Sequence, residues 1–319
     1  MIRKPVPSKP SVAIVGAGRL ATFLAIALNN AGFKITEIIA RDFKPSLRKA
    51  RLLAAKVDAR GVTLHSARLD ATLLWLCVPD REIRRAASDL AHRLLARDRP
   101  HRRISVKAKV LFALHSSGAL SSRELDPLRA AGIAVASAHP LMTFVAGANP
   151  PSAKSKSSSS SSFKVPYAIE GDDAATRVAL KIVRDLGGEG FPLPAARKVA
   201  YHAWATMTSP LLVAFLVILE EAANAAGFDR EEARRKSLPI IRQTLENYSR
   251  LGPAKSFSGP LIRGDAETVA KHLTVLKKDP AARAVYLALA RVALSKLPVK
   301  NRKRLQRLLR DAPLASLGK

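Results

Sequence analysis

Residues 12–32, VAIVGAGRLATFLAIALNNAG, constrain the fold of this chain more than any other stretch. Val12 to Val15 are all apolar, the pattern of a strand buried on both faces inside a parallel sheet. GAGRLA follows at once and gives Gly16, Gly18 and Ala21 the spacing G-x-G-x-x-A. TFLAIALNNAG is then apolar at helical spacing and closes at Gly32. A strand that turns through two glycines straight into a helix predicts an open, helix-covered parallel sheet.

The rest of the first half repeats this alternation. FKITEIIAR (33–41), TLLWLCVPD (72–80), KVLFALHSSGA (109–119), IAVASAHPL, VPYAIEGD and the short EGFPLP read as strands. SLRKARLLAAKV, REIRRAASDLAHRLLA, SSRELDPLRAAG and DAATRVALKIVRDLGG read as helices. ANPPSAKSKSSSSSSFK (148–164) is too rich in serine to build a core and reads as a flexible insertion. From Ala195 the patterns are helical, with loops at 226–230, 251–262 and 278–280. The expected fold class is α/β: a Rossmann-type doubly wound parallel sheet over 10–194, then an all-α domain over 195–312.

Charge and cysteine content narrow the partners. The 319 residues carry a formal charge of +29, densest in RDRPHRRISVKAK (97–109) and KNRKRLQRLLR (300–310). Aromatic residues are only 5%, and no zinc-finger spacing or RNA-binding sheet motif is present. Polyanion binding is therefore expected only as a nonspecific property, with a basic nucleic-acid-associated protein as an alternative role. A single cysteine, Cys77, excludes an intrachain disulfide, and the N-terminus lacks the pattern of a secretory signal. A cytoplasmic protein is expected, and no His/Cys/Asp/Glu cluster has metal-ligand spacing. Ala203 to Leu219 is uncharged over 17 residues, at the lower edge of a membrane span. Thr206, Thr208, Ser209 and Pro210 interrupt it, so a buried or dimer-forming helix is expected in its place.

The glycine turn carries the first functional reading. Gly16 makes the turn, Gly18 lets backbone approach a pyrophosphate, and Ala21 packs the helix on the strand. The free amides of Ala17, Gly18, Arg19 and Leu20 would face the phosphates. Such sites place an acid that selects NAD about 20 residues further on. Arg41 stands there instead, and Glu37 falls within the strand. Arg41 suits a ribose 2′-phosphate, so NADP is expected rather than NAD; the alternative is an arginine in a basic surface loop. Val78 and Pro79, ending the next strand, complete the expected cofactor contacts.

HSSGALSS, AHPLMTF, YAIEGD, RKVAYHAWA and SGPLIRGDAETVAKHL occur in that order. Together they resemble a little-characterised bacterial family in the 6-phosphogluconate dehydrogenase-like clan, with a Rossmann-like N-terminal half and a helical C-terminal domain of unknown function. Pyrroline-5-carboxylate reductase and the deazaflavin-dependent NADP oxidoreductases are relatives within it. The resemblance implies a cofactor in the first half and a small-molecule substrate between the halves. It leaves the substrate open. The family tends to carry Ser-Asn where this chain has Ser209-Pro210, which implies a helix break or a proline at the first helical position.

Hydride transfer to C=O or C=N needs a proton donor near the acceptor. His139, ending a strand before Pro140, is one candidate; the other reading is a histidine that fixes the turn. Ser116 and Ser117 either touch the nicotinamide or substrate or cap the next helix. Lys198 and His202 share a helix face and are either catalytic or solvated. In SFSGPLIRGD (256–265), Gly259-Pro260 is read as ending one helix and Asp265 as capping the next. Arg263 then either faces a cofactor or anionic substrate or pairs with an acid such as Asp265. The expectation is an NADP-dependent oxidoreductase, dimeric through its helical half. A noncatalytic NADP(H) sensor is the other alternative.

Overall fold

A computed structural model describes residues 9–97, 110–145 and 164–310. Most of the serine-rich stretch and of the first basic stretch lies outside them. Two compact units divide between Ala205 and Thr206.

The first unit is built on eight strands: β1 (Val12–Val15), β2 (Ile35–Ala40), β3 (Arg60–Thr63), β4 (Leu73–Leu76), β5 (Phe112–His115), β6 (Ala134–Pro140), β7 (Pro166–Gly171) and β8 (Glu189–Pro192). Their order is β3-β2-β1-β4-β5-β6-β7-β8. All neighbours are parallel except β6 and β7. The fold class expected from the sequence is the one found. Strand alternation divides the core between two faces. Val12, Ile14 and Trp75 pack with Leu24 and Leu28 of α1 (Arg19–Asn30) and Ile182 of α5 (Asp173–Asp185). Ala13, Val15, Leu74 and Leu76 pack with Ile83 and Leu90 of α3 (Asp80–Arg97) and Leu128 of α4 (Asp126–Ala130).

β3 is the strand with no sequence signal. Its residues, Arg-Gly-Val-Thr, bury only Val62. Gly61 is needed because a Cβ there would meet the Arg51 backbone of α2 (Lys44–Ala55) at 2.5 Å. Chain order reverses between β1 and its two neighbours, β2 and β4. That switch point is where the crevice of such a sheet opens, beyond the carboxyl ends of the strands.

α6 (Lys198–Thr208) begins in the first unit. The second unit holds α7 (Pro210–Ala222), α8 (Arg230–Ser256), α9 (Pro260–Arg263), α10 (Ala266–Val275), α11 (Pro280–Lys296) and α12 (Arg302–Arg310). Pro210 is the first residue of α7, as the Ser-Pro departure implied. Its core is small: Val269, Leu273, Leu287, Leu294, Leu305 and Leu309. Asp229, Asp265 and Asp279 each cap a helix by accepting a backbone N–H, at 2.8, 3.0 and 3.0 Å.

Two readings of 251–265 change. The expected loop 251–262 is largely helical, because α8 continues to Ser256 across a kink at Gly252 (φ 75°). Gly259-Pro260 opens a helix rather than ending one: Gly259 (φ 95°) precedes Pro260, whose fixed φ suits the first position of α9. Asp265 caps α10 as expected, and its carboxylate also accepts from Thr268 Oγ1 at 2.7 Å.

Candidate functional site

A cleft of about 830 Å³ lies at the carboxyl ends of β1, β2 and β4. Gly16, Ala17 and Gly18 form one wall, Arg41, Ser46 and Lys49 another, and Val78 and Pro79 a third. Its volume falls within the range of small-molecule sites. Gly16 sits at φ 115°, and a Cβ there would meet the Cys77 carbonyl oxygen at 2.4 Å. Only glycine fits. Gly18 has an ordinary backbone conformation and nothing within 4 Å of where its Cβ would be. Its open side leaves room for a ligand to reach the start of α1. That helix has no side-chain cap and no acid in its first turn, so its N-terminal amides can bind an anion.

Arg41 lines the cleft just past β2, with Lys49 on α2 nearby along the same wall. Asp42 also lines it. Glu37 is buried and committed elsewhere: it accepts from Arg60 Nη1 at 2.9 Å and from the amides of Arg68 and Leu69. Arg19 is exposed and Leu20 packs partly on the core; neither lines the cleft. Lys49 and Ser46 were not singled out from the sequence. Their signal was that the first turns of α2 must face the end of β2.

A second cluster gathers where β5, β6 and α6 meet. Lys198 is 1% exposed. Its Nζ donates to the Ser117 carbonyl at 2.9 Å and to Ser137 Oγ at 2.7 Å. Burial lowers its pKa to about 8, opposed by the negative charges of Glu170 and Asp80. The solvated face considered for Lys198 is therefore not what forms. His139 Nδ1 lies 2.9 Å from the Tyr201 hydroxyl, and the His139 and His202 ring centres are 6.1 Å apart. Burial lowers the His139 pKa to about 4, aided by the nearby charges of Lys198 and His202. Both histidine rings crowd Gly118: a Cβ there would come within 2.9 Å of His139 Nε2 and 2.5 Å of His202 Cδ2.

The serines are already engaged. Ser116 Oγ accepts from the Trp75 indole at 2.9 Å. Ser117 Oγ donates to Asp80 Oδ2 at 2.8 Å and accepts from the amides of Ala119 and Leu120. His115, fully buried, accepts at Nδ1 from the Ser117 amide, so its proton is on Nε2 and is donated to the Ser121 carbonyl. Burial lowers its pKa to about 4. Tyr201 and Ser137 are the members that sequence reasoning missed. Tyr201 follows Lys198 by three positions on one helix face, which was a usable signal. Ser137 needed the fold.

Arg263 is exposed and belongs to the second unit. Lys198, His139 and His202 cluster within the first unit. The Arg263 charge helps hold the Asp265 carboxyl below the usual range, after the two hydrogen bonds from Thr268. No group of three or more potential metal ligands occurs among the described residues.

Residues 4–140 match the Rossmann-like domain, and residues 165–293 match a domain of unknown function, DUF2520. The chain joins a Rossmann-like domain to a DUF2520 domain. No curated protein matches it. Among solved structures, a Bacteroides fragilis protein described as an NADP oxidoreductase is 22% identical, with a TM-score of 0.67 over 89% of this chain and 97% of that one. Protein TM1727 from Thermotoga maritima is 21% identical, with a TM-score of 0.64 over 94% and 98%. A reductive aminase from Aspergillus terreus, in complex with NADPH and ethyl-5-oxohexanoate, is 14% identical, with a TM-score of 0.57 over 94% and 99%. A pyrroline-5-carboxylate reductase from Coxiella burnetii shares the fold at a TM-score of 0.51. This Rossmann–DUF2520 pairing and its neighbours agree with the clan that the sequence motifs resemble.

Proposed function

We propose that this protein is an NADP(H)-dependent oxidoreductase that moves a hydride to or from a small C=O or C=N substrate. The observation that carries the reading is the cleft itself. A glycine turn with an open side at Gly18 faces a wall bearing Arg41 and Lys49. The pyrophosphate would rest on the amides of Ala17 and Gly18 at the start of α1, and the 2′-phosphate on Arg41, whose planar fork suits phosphate. When bound, the nicotinamide supplies or accepts the hydride. Structural neighbours with NADP or NADPH bound support the same reading.

The proton side of the reaction falls to the second cluster. Val15, Leu76, His115 and Ser137 stand in one register row across β1, β4, β5 and β6, and His139 is two residues beyond it. At strand spacings of about 4.8 Å, β6 lies roughly 14 Å from β1 along the same edge, within reach of a dinucleotide laid across it. His139 is neutral at physiological pH, since its pKa is about 4. Its ring N–H would pass a proton to the substrate oxygen or nitrogen as the hydride adds to carbon, and solvent would reprotonate the ring. Tyr201 donates to Nδ1, which leaves the proton on Nε2 beside Gly118. Lys198 holds the Ser117 carbonyl and Ser137 in place, and its charge adds to burial, the larger cause, in keeping His139 neutral. Oxidation of NADPH that depends on an added small ketone or cyclic imine tests this. His139→Ala should lower kcat at least 100-fold and leave NADPH binding within twofold. No turnover across such a panel with NADPH bound would refute the catalytic reading.

We further propose that the helical unit pairs with a second copy of the chain. The helical run Ala195–Ala226 is long and apolar enough to cross a membrane, yet none of its most apolar window is buried. Leu211, Leu212, Val213 and Val217 of α7 are all exposed, and the glutamates that follow at once suit a protein interface better than a lipid interior.

A further inference from the structure

Residues 280–310 contain nine lysines and arginines and no aspartate or glutamate. They form α11, a short connection and α12. Leu305 and Leu309 anchor α12 in the core of the helical unit. Arg302, Lys303, Arg304, Arg307 and Arg310 are exposed. Beside them lies a groove of about 550 Å³, whose polar lining is Arg291, Ser295, Arg302, Gln306 and Arg310. Two of its guanidinium groups are held by backbone: Arg291 donates to the Leu309 carbonyl at 2.7 Å and Arg302 to the Leu297 carbonyl at 3.3 Å. Arginines from two helices thus converge on one concave surface.

We infer that the α11–α12 face binds the phosphodiester backbone of double-stranded nucleic acid without sequence preference. Guanidinium groups pair with phosphate through two parallel N–H donors, which suits phosphodiesters better than diffuse anions. α12 is about 13 Å long and spans the axial length of about eight duplex phosphates. A duplex fits better than a single strand because stacking platforms are missing. α12 has no aromatic residue. The one on α11, Tyr286, is half-buried and has its hydroxyl 3.1 Å from His272 Nδ1. The charge of +29 adds long-range attraction to the same partner.

The test is retention of a 25-base-pair DNA duplex by the full chain, measured against salt between roughly 50 and 300 mM. Each phosphate contact contributes about 0.9 to the slope of log affinity against log salt. Arg302→Gln, Arg307→Gln and Arg310→Gln together should flatten the slope by about 2.7 and leave NADPH affinity unchanged. The matching arginine-to-lysine triple should keep most of the slope. A control triple removes the same charge elsewhere, at exposed Arg81, Arg177 and Arg250, and should flatten it by less than one unit. Equal losses in patch and control would mean net charge alone and would overturn the site. So would failure to retain duplex at 100 mM salt, or retention by phosphatidylserine vesicles but not by DNA.

Discussion

The four residues of β1 and the nine from Leu211 to Leu219 are both wholly apolar, and they end up differently. β1 is buried throughout, sealed by helices on both faces of the sheet. In α7 the one residue counted as buried is Glu220, which takes a two-point hydrogen bond from Arg234 at 2.6 and 2.9 Å, while Leu211 and Val213 stay 53% and 58% exposed. An apolar run states that burial is needed. It does not state what supplies it. In the first unit the chain supplies it by alternating strands and helices. In the second, Leu211, Leu212, Val213 and Val217 of α7 stay exposed among the described residues, which is why a second copy is the proposed cover.

The largest effect should come from breaking the sealed region at its tightest turn. Gly16→Ala adds a Cβ 2.4 Å from the Cys77 carbonyl at φ 115°. It should cost about 4 kcal/mol of stability, from backbone strain together with overpacking. Gly18→Ala, where that space is open, should change stability by no more than about 0.5 kcal/mol while weakening nucleotide affinity. Urea denaturation of the two variants separates them, and equal destabilisation would contradict the division of roles between the glycines.

The uncovered region is broken by charge. Leu211→Glu should weaken self-association at least 100-fold, about 3 kcal/mol, because a carboxylate would be buried without a partner. Sedimentation at micromolar concentration should find a dimer for the natural chain and a monomer for the variant. A natural chain that sediments as a monomer would contradict the proposed dimer.

A smaller effect sharpens the contrast inside the first unit, where a cation is buried on polar partners. Lys198 has a pKa of about 8 against an ordinary 10.5. Between those values the folded chain holds fewer protons than the unfolded one, so stability rises with pH. The cost of burying the charge is in full force below pH 8 and gone above 10.5. It amounts to about 3 kcal/mol. Lys198→Met should abolish that rise in stability. The His139 pKa, read by NMR, should move up from about 4, though not all the way to its ordinary value, because burial remains. An unmoved His139 pKa would show that the lysine charge does not act on it.

The comparison also explains what the sequence made legible. The glycine turn, the parallel sheet and the helical second half were readable because each rests on local spacing. β3 was not, since Arg60, Gly61 and Thr63 give no apolar run and the strand exists by pairing with β2. At the site, Arg41 and His139 could be picked from their places at the ends of strands. Tyr201 could not be paired with His139, nor Ser137 with Lys198, because those contacts span 62 and 61 positions of sequence. Lys198 read equally well as a surface residue. Only the packing of α6 against the β5 and β6 ends puts it inside.

The central claim is that the cleft holds NADP through Arg41. Titration of the natural chain and of Arg41→Glu with NADPH and with NADH tests it most directly. A charge-assisted contact of this kind is worth about 1.5–3 kcal/mol, so the variant should lose about 10- to 100-fold in NADPH affinity and little or nothing in NADH affinity. Equal loss for both nucleotides, or no binding of either by the natural chain, would contradict it.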